Sequence, residues 1–182
     1  DLASSSAAAR RISRSEAELF RRADLTFVTS EKLRQRAAKL SDRVHFFPFG
    51  VQFEKFEQVR EGSNEVPAEL KQLPRPVAGY VGGLHRWLDQ DLLATVAERM
   101  PQISFVLVGP AQTDLSRLTR QPNIHLLGPK LHNDVPYYTK GFDVGLVPYR
   151  HTEYTAHVYP TKLNEYLAMG IPVVATDLPE VQ

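Results

Sequence analysis

Pro160, Thr161, Lys162 and Glu165 open a run of helical periodicity, PTKLNEYLAMG, and their types and order suit the handling of an anion. Proline fits the first turn of a helix because its missing N–H would have no partner there, and the same turn carries Thr161 and Lys162 beside the positive end of the helix dipole. A lysine, a hydroxyl and helix amides can neutralise a departing diphosphate without a metal ion, which makes Lys162 the first catalytic candidate. Glu165 lies one turn beyond Thr161, so its carboxylate can face the same cleft and accept two hydrogen bonds from a ribose diol. Each residue also has an ordinary reading, Lys162 as a solvated side chain and Glu165 as its partner on the helix surface.

A second group centres on Gly82 and Gly83, which close the strand-like run VAGYVGG just before a helix. Glycines there let the backbone approach a diphosphate, although the pair reads equally as a tight turn that only packs. The sequence continues HRWLD from His85 to Asp89, so the three-glycine dinucleotide fingerprint is missing, and no phosphate loop ending in Gly-Lys-Ser/Thr is present. A nicotinamide enzyme and a P-loop ATPase both lose ground. Asp89 reads as a helix cap rather than a catalytic acid. Tyr149, Glu153, Tyr154 and Tyr159 crowd the loop before Pro160, where aromatic edges and a carboxylate suit sugar binding or, equally, packing.

The elements that must position these groups alternate along the chain. Of 182 residues, 42% are hydrophobic and 24% charged, the balance of a packed globular fold. The longest apolar runs are of strand length, too short for a bilayer-spanning helix. The start has arginines where a signal peptide needs its apolar stretch and lacks an initiator methionine, so a fragment is expected. The absence of cysteine excludes disulfides and thiolate metal sites and fits a reducing compartment, so the cytoplasm is the expected location. Residues 1–60 carry 12 Lys and Arg against 8 Asp and Glu, and this basic front suits either an anionic membrane surface or solvated helix faces. No nucleic-acid partner is expected.

Residues 6–22 read as a helix with Ile12, Leu19 and Ala23 on one side, followed by a strand at Leu25 to Thr29. Ser30 is placed to cap a helix from Glu31 to Lys39, and Val44 to Phe47 is a second strand. Residues 54–75 are charged, without period and punctuated by Pro and Gly, and read as a linker. Beyond it, five apolar strands alternate with helices, among them Asp89 to Met100 with Leu92, Leu93, Val96 and Met100 inward. Other helical stretches are Thr113 to Thr119, Asp134 to Lys140 and Thr161 to Met169. The class is α/β, a doubly wound Rossmann-like parallel sheet, and its ligand site should lie along the carboxyl edge of the strands.

The run YPTKLNEYLAMGIPVVAT resembles the donor-site segment of family-four glycosyltransferases of the glycosyltransferase-B fold, in the branch with a Pro-x-Lys-x-x-Glu-Tyr motif. Similar runs follow the family's order over residues 16–180: ADLTFVTSEKL, VHFFPFGVQFEKF, VAGYVGGLHRWLDQDLL, FVLVGP, NIHLLGPK and FDVGLVPY. The resemblance implies a front domain that binds acceptor and a rear domain that binds nucleotide sugar. Residues 1–53 would be the tail of the former, 54–75 a linker, and 76–182 most of the latter, a portion expected to be inactive alone. Glu165 matches the second of two glutamates that the family spaces eight apart, with the donor ribose as its implied ligand. The first falls at His157, a departure that leaves recognition of the transferred sugar open and makes His157 the second catalytic candidate. Where many members have an arginine and a lysine for the diphosphate, this chain has Gly83 and Leu88, so Lys162 and Arg150 are the replacement candidates and Arg86 the third. Gly128, Pro129 and Lys130 match the segment beside the base. With Gly82, Gly83, Tyr159 and Thr161 they complete the expected donor site.

The implied reaction is sugar transfer from a UDP- or GDP-sugar to a hydroxyl of a glycan or lipid-linked acceptor. It would proceed with retention and without metal or cofactor, in surface or exopolysaccharide synthesis at the cytoplasmic membrane face. The rival readings are a nucleotide-sugar epimerase of the same fold and a non-catalytic nucleotide-sugar-binding module.

Overall fold

The computed structural model describes residues 6–63 and 65–182; residues 1–5 of the expected front segment and Asn64 of the expected linker lie outside the described residues. The chain opens with α1 (Ser6–Arg22), β1 (Thr26–Val28), α2 (Glu31–Ala38) and β2 (Val44–Phe46). The two strands pair in parallel, with α2 as their crossover. The Ser30 hydroxyl accepts from Leu33 N at 3.3 Å and caps α2 as its sequence predicts. From the other end of the chain, the Glu180 carboxylate accepts from Glu31 N at 2.8 Å and adds a negative charge at the positive end of that helix. Ile12 and Leu19 of α1, together with Phe27, Phe46 and Phe47, are exposed to solvent.

The stretch expected as an aperiodic linker instead carries α3 (Phe53–Glu61) and α4 (Ala68–Lys71). Phe56, Val59 and Leu70 are buried in the main core, and Lys140 Nζ donates to the Val59 and Gly62 carbonyls at 2.8 Å, capping the end of α3. Three apolar side chains spaced too irregularly to show a period suffice, because the neighbouring helices supply the rest of the contact.

The main sheet contains β3 (Val77–Val81), β4 (Ser104–Val108), β5 (Ile124–Gly128), β6 (Val144–Val147) and β7 (Val173–Ala175). All five are parallel, in the order β5-β4-β3-β6-β7. β3 and β4 are buried at every residue, which is why their sequences read as unbroken apolar runs. The connecting helices are α5 (Gln90–Arg99), α6 (Ser116–Thr119), α7 (Val135–Lys140) and α8 (Lys162–Met169), with a 3-10 turn at Thr155–His157. Asp89 caps α5 by accepting from Leu92 N at 3.0 Å. The inward face of α5 is Leu93, Ala94 and Ala97; Leu92 and Met100, expected inward, are exposed, because small alanines let the helix lie close to the sheet on that side.

Candidate functional site

The order of the sheet reverses at β3, with β4 and β5 to one side and β6 and β7 to the other. At such a switch point the loops leave in opposite directions and a crevice opens outside the carboxyl ends of the strands. Here the crevice is a cleft of about 270 Å³. Val81, Gly82 and Gly83 line it from the end of β3, and Val108, Gly109 and Pro110 from the end of β4. Lys130, His132 and Val135 close it between β5 and α7, and Thr161, Lys162 and Glu165 present the amino end of α8.

β3 and β6 pair only at Ala78 with Val144 and Gly79 with Gly145, then splay apart. The fully buried Tyr166 fills the wedge: its hydroxyl accepts from Val81 N at 3.0 Å and donates to Leu146 O at 3.5 Å. Its ring lies where any side chain at Gly145 would stand, 2.5 Å from the nearest such atom. Burial pushes this hydroxyl far above the ordinary phenol range. Tyr166→Phe would leave the Val81 N–H buried without a partner and should cost about 2 kcal/mol in urea unfolding.

Lys162 is only 8% exposed. Its Nζ donates to the Tyr149 hydroxyl, and sits 4.8 Å from the centre of the Tyr149 ring and 5.0 Å from that of Tyr80. A side-chain atom added at Gly82 would stand 3.2 Å from Lys162 Cε, so the glycine gives the lysine its place under the turn. The turn itself is held by the Tyr80 hydroxyl, which donates to Gly83 O at 3.0 Å. Glu165 lines the same cleft, and burial pushes its carboxyl above the ordinary range, opposed by the positive charges of Lys162, His132 and Lys55. Lys55 also ties α3 to the cleft wall by donating to Asn133 Oδ1 at 2.9 Å.

Of the residues expected from sequence, Gly82, Gly83, Lys130, Thr161, Lys162 and Glu165 meet at this cleft. Lys130 is already paired there with Glu69 at 2.7 Å. Gly128 stands at the rim, where its carbonyl accepts from Gly109 N at 2.9 Å, and Pro129 beside it is exposed. Arg150, Tyr159 and His157 are not brought to the cleft wall. Arg150 is drawn to the amino end of α5 by Asp91 at 3.2 Å and Asp89 at 4.0 Å. Tyr159 donates to Asn164 Oδ1 at 2.7 Å and packs toward Phe49. His157 Nδ1 lies 2.7 Å from Glu153 O within its own loop. Tyr80 and His132 were not anticipated: in a strand buried on both faces no alternation marks which side chain meets α8, and an isolated loop histidine has no periodic signal at all.

The arrangement thus offers a buried cation, glycine backbone and a helix amino end to an anion, with a carboxylate one turn away for a neighbouring diol. Residues 75–182 match the family described as Glycosyl transferases group 1. TuaH of Bacillus subtilis, named for teichuronic acid biosynthesis as a glycosyltransferase, is 32% identical over 92% of this chain and 44% of its own length. TuaC of the same organism, named in the same terms, is 30% identical over 86% of this chain and 39% of its own. The chain therefore spans less than half the length of these curated relatives. The crystal structure of Anabaena HepE in complex with UDP and glucose superposes with a TM-score of 0.73 at 20% identity, covering 92% of this chain and 48% of that one. That likeness is one of fold: a Rossmann-like doubly wound domain of the glycosyltransferase-B type, preceded by an amino-terminal segment.

Proposed function

Since the chain belongs to the group 1 glycosyl transferases, we propose that its cleft is the donor site of a retaining, metal-independent transferase of family four. This transferase moves a sugar from UDP- or GDP-sugar to a hydroxyl of a glycan or lipid-linked acceptor in surface polysaccharide synthesis. The observation that carries the reading is Lys162, a buried ammonium whose hydrogen bond goes to a phenol rather than to a carboxylate, at the mouth of a cleft on the switch point of a parallel sheet. No carboxylate is bonded to it directly, so a ligand anion can take that place. When the bond from the anomeric carbon to the diphosphate oxygen breaks, the negative charge grows on that oxygen, and Lys162 with the amino end of α8 meets it there. Glu165 takes the ribose hydroxyls and fixes the pose.

The domain assignment belongs to the same reading: 1–53 from an acceptor-side domain, 54–75 the connection, 76–182 the donor side. The exposed rings of Phe27, Phe46 and Phe47 support it, as surface suited to burial against more of such a domain. Among the described residues no helix is long and apolar enough to cross a membrane. The exposed arginines of α1, including Arg10, Arg11 and Arg14, would meet the anionic inner face of the cytoplasmic membrane from outside the bilayer. The position of His157 away from the cleft favours one second reading, donor binding without transfer, which a product assay on the full-length protein with UDP- and GDP-sugars separates.

Calorimetry tests the donor site directly: UDP or GDP should bind this chain, and no heat from either at millimolar concentration would rule the reading out. Glu165→Gln should weaken the bound nucleotide about tenfold, since an amide offers the diol one acceptor and no charge. The same change should leave the unliganded protein as stable as before or more so at neutral pH. The raised carboxyl of Glu165 means that its contribution to stability is fully present below the ordinary carboxylate pKa and is lost as pH rises through the folded value. Nucleotide affinity runs the other way, falling as pH drops through that raised value and the acceptor charge disappears. Affinity flat across this range, measured with a pH-matched Glu165→Gln control, would contradict the role.

A further inference from the structure

We propose that Tyr149 is a positioning residue for Lys162, and that Tyr80 is the floor against which it acts; the inference rests on the donor-site reading for its consequence but not for its geometry. A free lysine side chain is mobile and its ammonium strongly hydrated, so burying it at one point needs compensation for both. Two devices supply it. The Tyr149 hydroxyl accepts a hydrogen bond from Nζ, and the centre of the Tyr80 ring lies 5.0 Å from the charge. A carboxylate in the place of Tyr149 would hold the ammonium as firmly but cancel its charge; an uncharged phenol holds it and leaves the charge for an incoming anion.

The phenol is itself rigidly placed. Tyr149 is 5% exposed, its carbonyl accepts from Thr176 Oγ1 at 2.8 Å, and its ring meets that of Tyr80 edge to face at 6.4 Å. Tyr80 in turn spends its hydroxyl on Gly83 O, so one side chain sets both the glycine turn above the lysine and the surface below it. The ammonium is thus fixed beneath Gly82 before any ligand arrives, and a diphosphate entering the cleft does not have to order it.

The first readout needs no ligand. In the unliganded chain labelled with 15N-lysine, the Lys162 ammonium should give a slowly exchanging proton signal, identified by its loss in Lys162→Ala. The signal should vanish in Tyr149→Phe, which keeps the ring, and persist in Tyr80→Phe. The second readout is UDP or GDP affinity: Tyr149→Phe should weaken it about fivefold in the native background and less than about twofold when Lys162 is already alanine. A surviving ammonium signal in Tyr149→Phe overturns the proposal, as does an equal loss of affinity in both backgrounds, which is the mark of a merely structural role. If neither nucleotide binds the native chain, the donor-site reading fails, while the ammonium signal still decides whether Tyr149 holds Lys162.

Discussion

Lys162→Met is expected to weaken binding of UDP or GDP by roughly 100-fold, with little change or a gain in the stability of the unliganded protein. Methionine keeps an unbranched stem between the rings of Tyr80 and Tyr149 and removes only the ammonium, so packing is preserved while the charge is lost. One or two charge-assisted hydrogen bonds to phosphate oxygens, at about 1.5 to 3 kcal/mol each, account for the size of the effect. Stability should hold because the native protein buries a cation whose hydrogen bond goes to a phenol and not to a carboxylate, an arrangement that favours function over folding. Calorimetry and urea unfolding on the same preparation check both halves. A loss of affinity below about threefold would remove Lys162 from the diphosphate site, whatever the fold.

Gly109→Ala is expected to destabilise the protein by about 4 kcal/mol and to close the cleft to nucleotide. Gly109 has φ +150, a conformation hostile to a side chain, and an added Cβ would stand 2.0 Å from the Gly82 carbonyl oxygen. The obstacle is backbone and cannot rotate aside. Relief requires the ends of β3 and β4 to separate, which breaks the bond from Gly82 N to Val108 O at 2.8 Å. These are the strand ends that form the cleft wall, so stability and binding should fail together. Gly128→Ala is the control. Gly128 also has positive φ, +69, but open space where a side chain would go, so only the conformational cost of about 1 kcal/mol applies. Equal urea midpoints for the two variants would show that the close approach to Gly82 is not what demands glycine at 109.

Much of the fold was legible because the pattern that folds it is local. Continuous apolar runs at 77–81 and 104–108 are the direct result of burial on both faces of a parallel sheet, and Ser30 and Asp89 cap the helices they precede in sequence. The helix at 53–61 was missed because only Phe56 and Val59 are buried on it, and its hydrogen bonds to α7 and α8 span 78 to 108 positions of the chain. In α5 the period was right and its face only partly so: Leu93 is buried and Val96 packs against the core as expected, while Leu92 and Met100 are exposed and Ala94 and Ala97 face the sheet.

In the site the same division holds. The order Pro160, Thr161, Lys162, Glu165 determined by itself that a helix amino end, a cation and a carboxylate would stand together, because residues within one turn cannot be separated by folding. Sequence also determined that Gly82 and Gly83 would end a strand at the ligand-binding edge. The company these groups keep was set by packing between elements. Arg150 is near Lys162 in the chain yet turns to Asp91, while Tyr80, 82 positions before Lys162, supplies its floor. Contacts between elements depend on strand order and on which face each helix presents, and a chain records neither until the sheet has formed around β3.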